Sequence, residues 1–209
     1  MIIDFKQFPS GKQYACVREE KSRVFLRNIA ILVHPADHGR IVAVREWGSK
    51  SDTAAWEPPK GQMEWKEFAA AGFKRGQTIS AADLLRVARE GMLRELAEEA
   101  KIHADEIRDF QPLPLSYNQP FEGEPAGTDF RYQFWHGVVT PEALQTAQRR
   151  MHALVSRPER WAEVPADRKE KDAVAWWKPT GVAAWRQIRG GFSRTLTHMY
   201  YDFKQKMRV

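Results

Sequence analysis

The sequence predicts a mixed fold of the α/β (α+β) class, on three observations. First, residues 24–34 (VFLRNIAILVH) form a run of β-branched and aliphatic residues that reads as a buried strand. The turn-forming PADHG follows, and residues 40–47 (RIVAVREW) return as a second strand, so the pair reads as a hairpin. Second, Leu84, Ala88, Met92, Leu96 and Ala100 fall four apart and mark one apolar stripe of a helix. Third, strands and helices are interleaved with no internal repeat and no long linker, which favours one domain over residues 1–209.

The remaining elements follow in chain order. Residues 48–55 are a polar loop. In Trp56-Glu57-Pro58-Pro59-Lys60-Gly61 the two prolines exclude a central strand or helix, and the glycine permits a tight turn. Residues 62–79 show no period and read as an excursion. Ser80, with Asp83 three residues on, caps the helix that follows; Gly91 interrupts that helix at about 1 kcal/mol, a cost that close packing would explain. Strands are expected at 109–118, 129–139 and 173–178. Helices are expected at 141–156, 180–188 and 193–207, with a charged irregular stretch at 157–172.

Composition narrows the function. With 43% hydrophobic and 11% aromatic residues, the chain is too apolar to be disordered. Cys16 is the only cysteine, which excludes an internal disulfide framework, a cysteine zinc cluster and an iron–sulfur site. The opening MIIDFKQFPSGKQ lacks the basic and long apolar regions of a signal peptide, and no apolar run nears the ~18 residues that span a membrane. A reduced, soluble, cytoplasmic protein is the expectation. The formal net charge of +6 comes from interspersed signs, so a solvated surface is the first reading and an anionic ligand the second.

The chemistry concentrates in Arg94-Glu95-Leu96-Ala97-Glu98-Glu99-Ala100-Lys101-Ile102. At the α-helical step, Glu98 and Glu99 lie within about 60° and 40° of Glu95 around the axis. Three carboxylates on one face repel by roughly 1 kcal/mol per close pair in water and more in a cleft. A hard divalent cation relieves this, and Mg²⁺ commonly bridges carboxylates to phosphates. A solvated acidic face is the alternative.

Together with the upstream Pro-Pro-Lys-Gly turn, this stretch resembles the box of the Nudix hydrolase superfamily: G, five residues, E, seven residues, then R-E-U-x-E-E-x-G-U, with U aliphatic. Gly61 and Glu67 match the first half, and Arg94, Glu95, Leu96, Glu98, Glu99 and Ile102 the second. The chain departs in two places. Twenty-six residues separate Glu67 from Arg94, a surplus of 19, and Lys101 stands at the family's second glycine. The resemblance implies an α/β/α sandwich on a mixed sheet, with a box insertion at 62–79 and a helical, charged segment near 141–172.

It also implies an Mg²⁺- or Mn²⁺-dependent pyrophosphohydrolase acting on a nucleoside-diphosphate-linked substrate. Glu95, Glu98, Glu99 and the Gly61 carbonyl would bind metal. Arg94 would orient Glu95, and Glu95 would be the general base, with Glu122, Glu124 and Glu170 as alternatives. The W-x-x-P-K-G entry is similar to that of mRNA-decapping, dinucleoside-polyphosphate and diphosphoinositol members, so capped RNA or a dinucleoside polyphosphate is the favoured partner. Lys60, Arg45 and Arg131 are phosphate candidates, and Trp56 a base-stacking candidate or a packing residue. Arg149, Arg150, Arg157, Arg160, Arg168, Lys169 and Lys171 could form an RNA-binding arm, but interleaved acids favour a solvated surface. The rival functions are a Nudix-fold nucleotide- or RNA-binding module without turnover, and an ADP-ribose or sugar-nucleotide hydrolase.

Overall fold

The computed structural model describes residues 1–19, 22–49, 55–165 and 169–207. Most of the expected 48–55 loop, and Asp167 and Arg168 of the charged segment, lie outside the described residues. Nine strands and six α-helices occur among those described, so the mixed α/β class is observed. The chain divides into two compact units: residues Met1–Ile29, Lys60–Leu93 and Gln111–Trp135 make the first, and residues Ala30–Pro59, Arg94–Phe110 and His136–Val209 the second.

The first unit opens on a hairpin that the sequence does not predict. Strand β1 (Ile2–Gln7) pairs antiparallel with β2 (Gln13–Glu19), from Ile2↔Arg18 to Gln7↔Gln13. Strand β2 pairs in turn with the first half of β3 (Ser22–His34), and β6 (Lys60–Gln62) pairs with β3 through Asn28↔Gly61 and Ile29↔Lys60. The expected excursion at 62–79 contains a helix, α1 (Trp65–Ala70), whose Phe68 is fully buried. Helix α2 (Ala81–Glu95) starts at the expected cap: the Asp83 N–H donates to Ser80 Oγ at 3.0 Å, and Ser80 Oγ donates to Asp83 at 2.6 Å.

Asn28 is 2% exposed, and both ends of its amide are engaged. It donates to the Ala88 carbonyl at 3.3 Å and accepts from the Trp135 indole at 2.9 Å, tying β3 to α2 inside this unit. Cys16 is buried on β2, and burial pushes its thiol up to about 11.

In the second unit, β4 (Asp37–Glu46) is the hub. It pairs antiparallel with the end of β3, with β5 (Trp56–Glu57) and with β9 (Lys171–Trp177). Residues Ala30–Val33 and Ile41–Val44 are all fully buried, because apolar groups cover both faces of these strands. The β4–β9 register breaks between Arg45 and Glu46, next to Lys171. Helix α3 (Pro141–Val155) is capped by Thr140, whose Oγ1 accepts from the Ala143 N–H at 3.2 Å. The stretch expected to be irregular holds a further helix, α4 (Pro158–Glu163). Helices α5 (Gly181–Gln187) and α6 (Phe192–Met207) complete the unit near the expected positions. No helix among the described residues is long and apolar enough to cross a membrane.

Strand β7 (Ile107–Pro120) and strand β8 (Thr128–Val139) pair with each other, longer than the strands expected there.

Asp4 on β1 is 2% exposed. Burial alone would raise its pKa, but the Phe5 N–H and the Arg75 and Arg18 guanidiniums outweigh that and hold it below the usual range. A depressed acid contributes stability above its unfolded pKa, near 3.9, and loses that contribution as pH falls through its folded value. Asp4→Asn is expected to cost about 1–2 kcal/mol at pH 7, discounted because both arginines are half exposed. Urea unfolding at a series of pH values checks that the gap from wild type closes below about pH 4.

Candidate active site

The last turn of α2 carries Arg94 and Glu95, and the chain then enters a π-helical turn, Leu96–Ala100. The α-helical step therefore ends at Glu95. The Lys101 N–H donates to the Leu96 carbonyl, and the Ile102 N–H reaches the same oxygen at 3.3 Å. Leu96, Ala100 and Ile102 are fully buried, so the apolar residues of the motif anchor the turn while its acids lie between them. Single π turns concentrate at functional sites, where they re-aim side chains.

Arg94 spans the acids: Nη2 is 2.6 Å from Glu95 Oε1, and Nη1 is 2.8 Å from Glu98 Oε2. The guanidinium thus pairs with two carboxylates of the motif at once. Burial pushes the Glu95 carboxyl up to about 7; Arg94 pulls the other way, while Glu99 and Glu98 push it further up. Glu99 is 7% exposed and its Oε1 lies 3.7 Å from Lys171 Nζ.

Lys101 adopts the left-handed conformation, φ 58° and ψ 26°. A lysine there costs roughly 1 kcal/mol relative to glycine. Its own Nζ offsets part of this by donating to the Glu98 carbonyl at 2.8 Å. Arg150 on α3 holds the far side, donating to the Lys101 carbonyl at 3.0 Å and pairing with Glu106 at 2.6 Å. A cavity of about 510 Å³ opens beside this turn, with Glu98, Lys101, Leu154, Arg160 and Glu163 on its wall.

The second unit also brings Arg45 and Trp56 together, as register partners on β4 and β5 with the guanidinium 5.9 Å from the ring. Arg45 pairs with Asp172 at 2.7 Å, and the Trp56 carbonyl accepts from the Arg189 N–H at 2.6 Å. Glu170 is exposed.

Sequence reasoning misses the group around Glu57. Glu57 is fully buried; its Oε1 accepts from Lys171 Nζ at 2.5 Å and its Oε2 from Ser193 Oγ at 2.5 Å. Arg189 Nη1 lies 3.6 Å from the same Oε1. Lys171 belongs to the cation cluster expected to be solvated, yet it is 6% exposed, and that expectation is corrected. Burial opposes its charge, but Glu99 and Glu57 outweigh burial and hold its pKa above the usual lysine value. Only the position of Glu57 inside the Trp-Glu-Pro-Pro turn hints at this group.

The first unit holds the other candidates. Lys60 and Gly61 sit on β6, both half-buried. Arg131 makes a two-pronged pair with Glu19 at 2.8 and 2.9 Å. Glu124 pairs with Lys6, and Glu122 is exposed. Glu67 on α1 lies against Gly91 of α2: a Cβ added to Gly91 would come within 2.9 Å of Glu67 Oε2. Close packing at Gly91 is therefore observed, and its neighbour is the residue that matches the first acid of the box.

Among the described residues, no three acid, histidine or cysteine side chains converge as a ready-made metal cage. Glu95 and Glu98 turn to Arg94, and Glu99 faces Lys171. The donor chemistry nevertheless suits a hard divalent ion. Three carboxylates share one turn, and Glu99 and Glu98 disfavour the charged form of Glu95, a strain that a bound cation would relieve.

No family model matches the chain, and no curated protein matches it. Solved structures do match. A Nudix hydrolase from Nitrosomonas europaea is 16% identical, with 86% of this chain and 90% of that one covered and a TM-score of 0.43. An Ap4A hydrolase from C. elegans is 12% identical, with 87% and 98% covered and a TM-score of 0.44. A mutT/nudix family protein from Listeria innocua is 15% identical, with 91% and 97% covered and a TM-score of 0.41. At these identities and scores the chemistry rests on the residues described above.

Two outcomes are expected at this site. Lys101→Gly is expected to be neutral or to stabilise by up to about 1 kcal/mol, since it relieves the left-handed strain while losing the Glu98 carbonyl contact, whereas Lys101→Val, β-branched at positive φ, costs about 2 kcal/mol, as read from thermal unfolding. Gly91→Ala destabilises the wild type by displacing the Glu67 carboxylate, but stabilises a Glu67→Ala background by up to about 1 kcal/mol through helix propensity. A double-mutant cycle in urea checks the change of sign.

Proposed function

We propose that the chain is a Nudix-type pyrophosphohydrolase that uses Mg²⁺ or Mn²⁺ to cleave a phosphoanhydride in a nucleoside-diphosphate-linked substrate. The observation that carries this reading is the Arg94 fork across Glu95 and Glu98, which holds two acids of the R-E-L-x-E-E motif on one turn with Glu99 behind them. Glu95, Glu98 and Glu99 are the residues that would hold the metal. When bound, such an ion neutralises phosphate charge and supplies an activated water. Glu95 is proposed as the proton acceptor because the motif resemblance implies that part for this acid. Arg94 holds Glu95 in place. The open depression beside Glu98 offers room, with Lys101 and Arg160 on its wall balanced by Glu98 and Glu163.

The favoured substrates are capped RNA and dinucleoside polyphosphates, then diphosphoinositol phosphates, because the Trp56–Gly61 entry resembles those members. Lys60 is proposed as a phosphate contact, and Arg45 beside Trp56 as a phosphate and base pair of contacts. The departure at Lys101 favoured a non-cleaving binding module. That argument weakens, because the lysine takes a left-handed conformation, the one a glycine most readily supplies at a helix end.

Turnover of cap analogue, diadenosine tetraphosphate and a diphosphoinositol phosphate with Mg²⁺, read by product mass, tests the activity and the bond broken. Glu98→Gln is expected to lower the rate about a hundredfold or more. Full activity in that variant would sink the mechanism, and absence of turnover on every anhydride offered would leave the binding module.

A further inference from the structure

Lys171 lies between two acids of different kinds. Glu57 is structural: it is fully buried, and Lys171 and Ser193 each donate to one of its oxygens. Glu99 belongs to the carboxylate turn, 3.7 Å from the same ammonium. Lys171 is anchored where β9 begins, at the register break against Glu46, which places its side chain inside the unit rather than in solvent.

Arg94 and Lys171 therefore set two positive charges against the three negative charges of Glu95, Glu98 and Glu99. A divalent ion bound by these acids would meet a cation already at Glu99. The ammonium cannot be washed out by salt or drift away, because Glu57 holds it from the other side.

We propose that Lys171 is a resident counter-cation that competes with the divalent ion for Glu99 and so sets the metal affinity of the turn. The inference rests on the reading that Glu95, Glu98 and Glu99 bind metal. Lys171 is a positioning residue: it acts through Glu99 and touches no substrate. It also gives Glu99 a partner in the metal-free protein, beside the Arg94 pairs to Glu95 and Glu98.

The test is Mn²⁺ binding to the full chain without substrate, followed by the electron paramagnetic resonance of free Mn²⁺. Lys171→Met removes the cation but strands Glu57, so the double variant Glu57→Gln/Lys171→Met is measured beside it. Replacing both buried partners by neutral groups of similar size is usually tolerated, and glutamine keeps an acceptor for Ser193. Measured against Glu57→Gln alone, so that both proteins lack the Glu57 charge, the double variant is expected to bind Mn²⁺ on the order of tenfold tighter, since one positive charge a few ångströms from the ion is then the only difference. A purely structural part for Lys171 predicts the opposite, weaker binding through a loosened turn.

Binding in the folded double variant equal to or weaker than in Glu57→Gln overturns the inference. Glu98→Gln and Glu99→Gln separate its failure from that of the function. If they weaken Mn²⁺ binding while the lysine variants do not tighten it, only the counter-cation falls. If they leave Mn²⁺ binding unchanged, the turn is no metal site, and the proposed function falls with it.

Discussion

Three carboxylates within five residues repel one another, and Arg94 lets them share a turn. Its guanidinium reaches back to Glu95 and forward to Glu98, so one planar fork neutralises two neighbours at once. A lysine would offer a point charge in place of this planar fork. The remaining acid, Glu99, faces Lys171, so the turn folds with its charges largely answered by the chain itself. The buried Leu96, Ala100 and Ile102 supply the apolar hold, and Arg150 secures the exit from the turn. Without the arginine, half-buried Glu95 would face the like charges of Glu98 and Glu99 without its pairing cation.

What could be read from sequence was what is local. The hairpin of β3 and β4 and the body of α2 were legible, because uninterrupted apolar runs and a four-residue stripe are their own evidence. The site acids were legible because they are contiguous. Strands β1 and β2 were not: in β1 both Ile3 and its polar neighbour Asp4, on opposite faces, are buried, so burial does not follow the alternation. Helix α1 was hidden by its length: six residues are too few to show a period. The Glu57 group was beyond reach for another reason. Its hydrogen bonds join residues 114 and 136 positions apart, and Lys171 sits among arginines and lysines whose composition suggests a wet surface. Burial of a charge is a property of the assembled unit, not of its neighbours in the chain.

The spacing of the motif also conceals its geometry. R-E-L-x-E-E reads as one face of an α-helix, but the backbone changes to π pitch after Glu95. The acids still gather, yet their directions are set by the wider turn and by where it must close. Closure falls to Lys101, which accepts a left-handed backbone and bonds the carbonyl of Glu98 with its own side chain. A residue that breaks the sequence pattern therefore preserves the backbone pattern.

Cys16 carries a practical consequence. Its thiol is sealed within the β1–β2–β3 pairing, flanked by register partners Asp4 and Phe25, and burial keeps it protonated at ordinary pH. Nothing else in the chain carries sulfur that an alkylating label would take up at speed. A cysteine engineered onto an exposed position, such as Val182 on α5, would thus be the one reactive handle in an otherwise wild-type background. The native fold comes ready for single-site fluorescent or spin labelling, with no cysteine-free parent to build first.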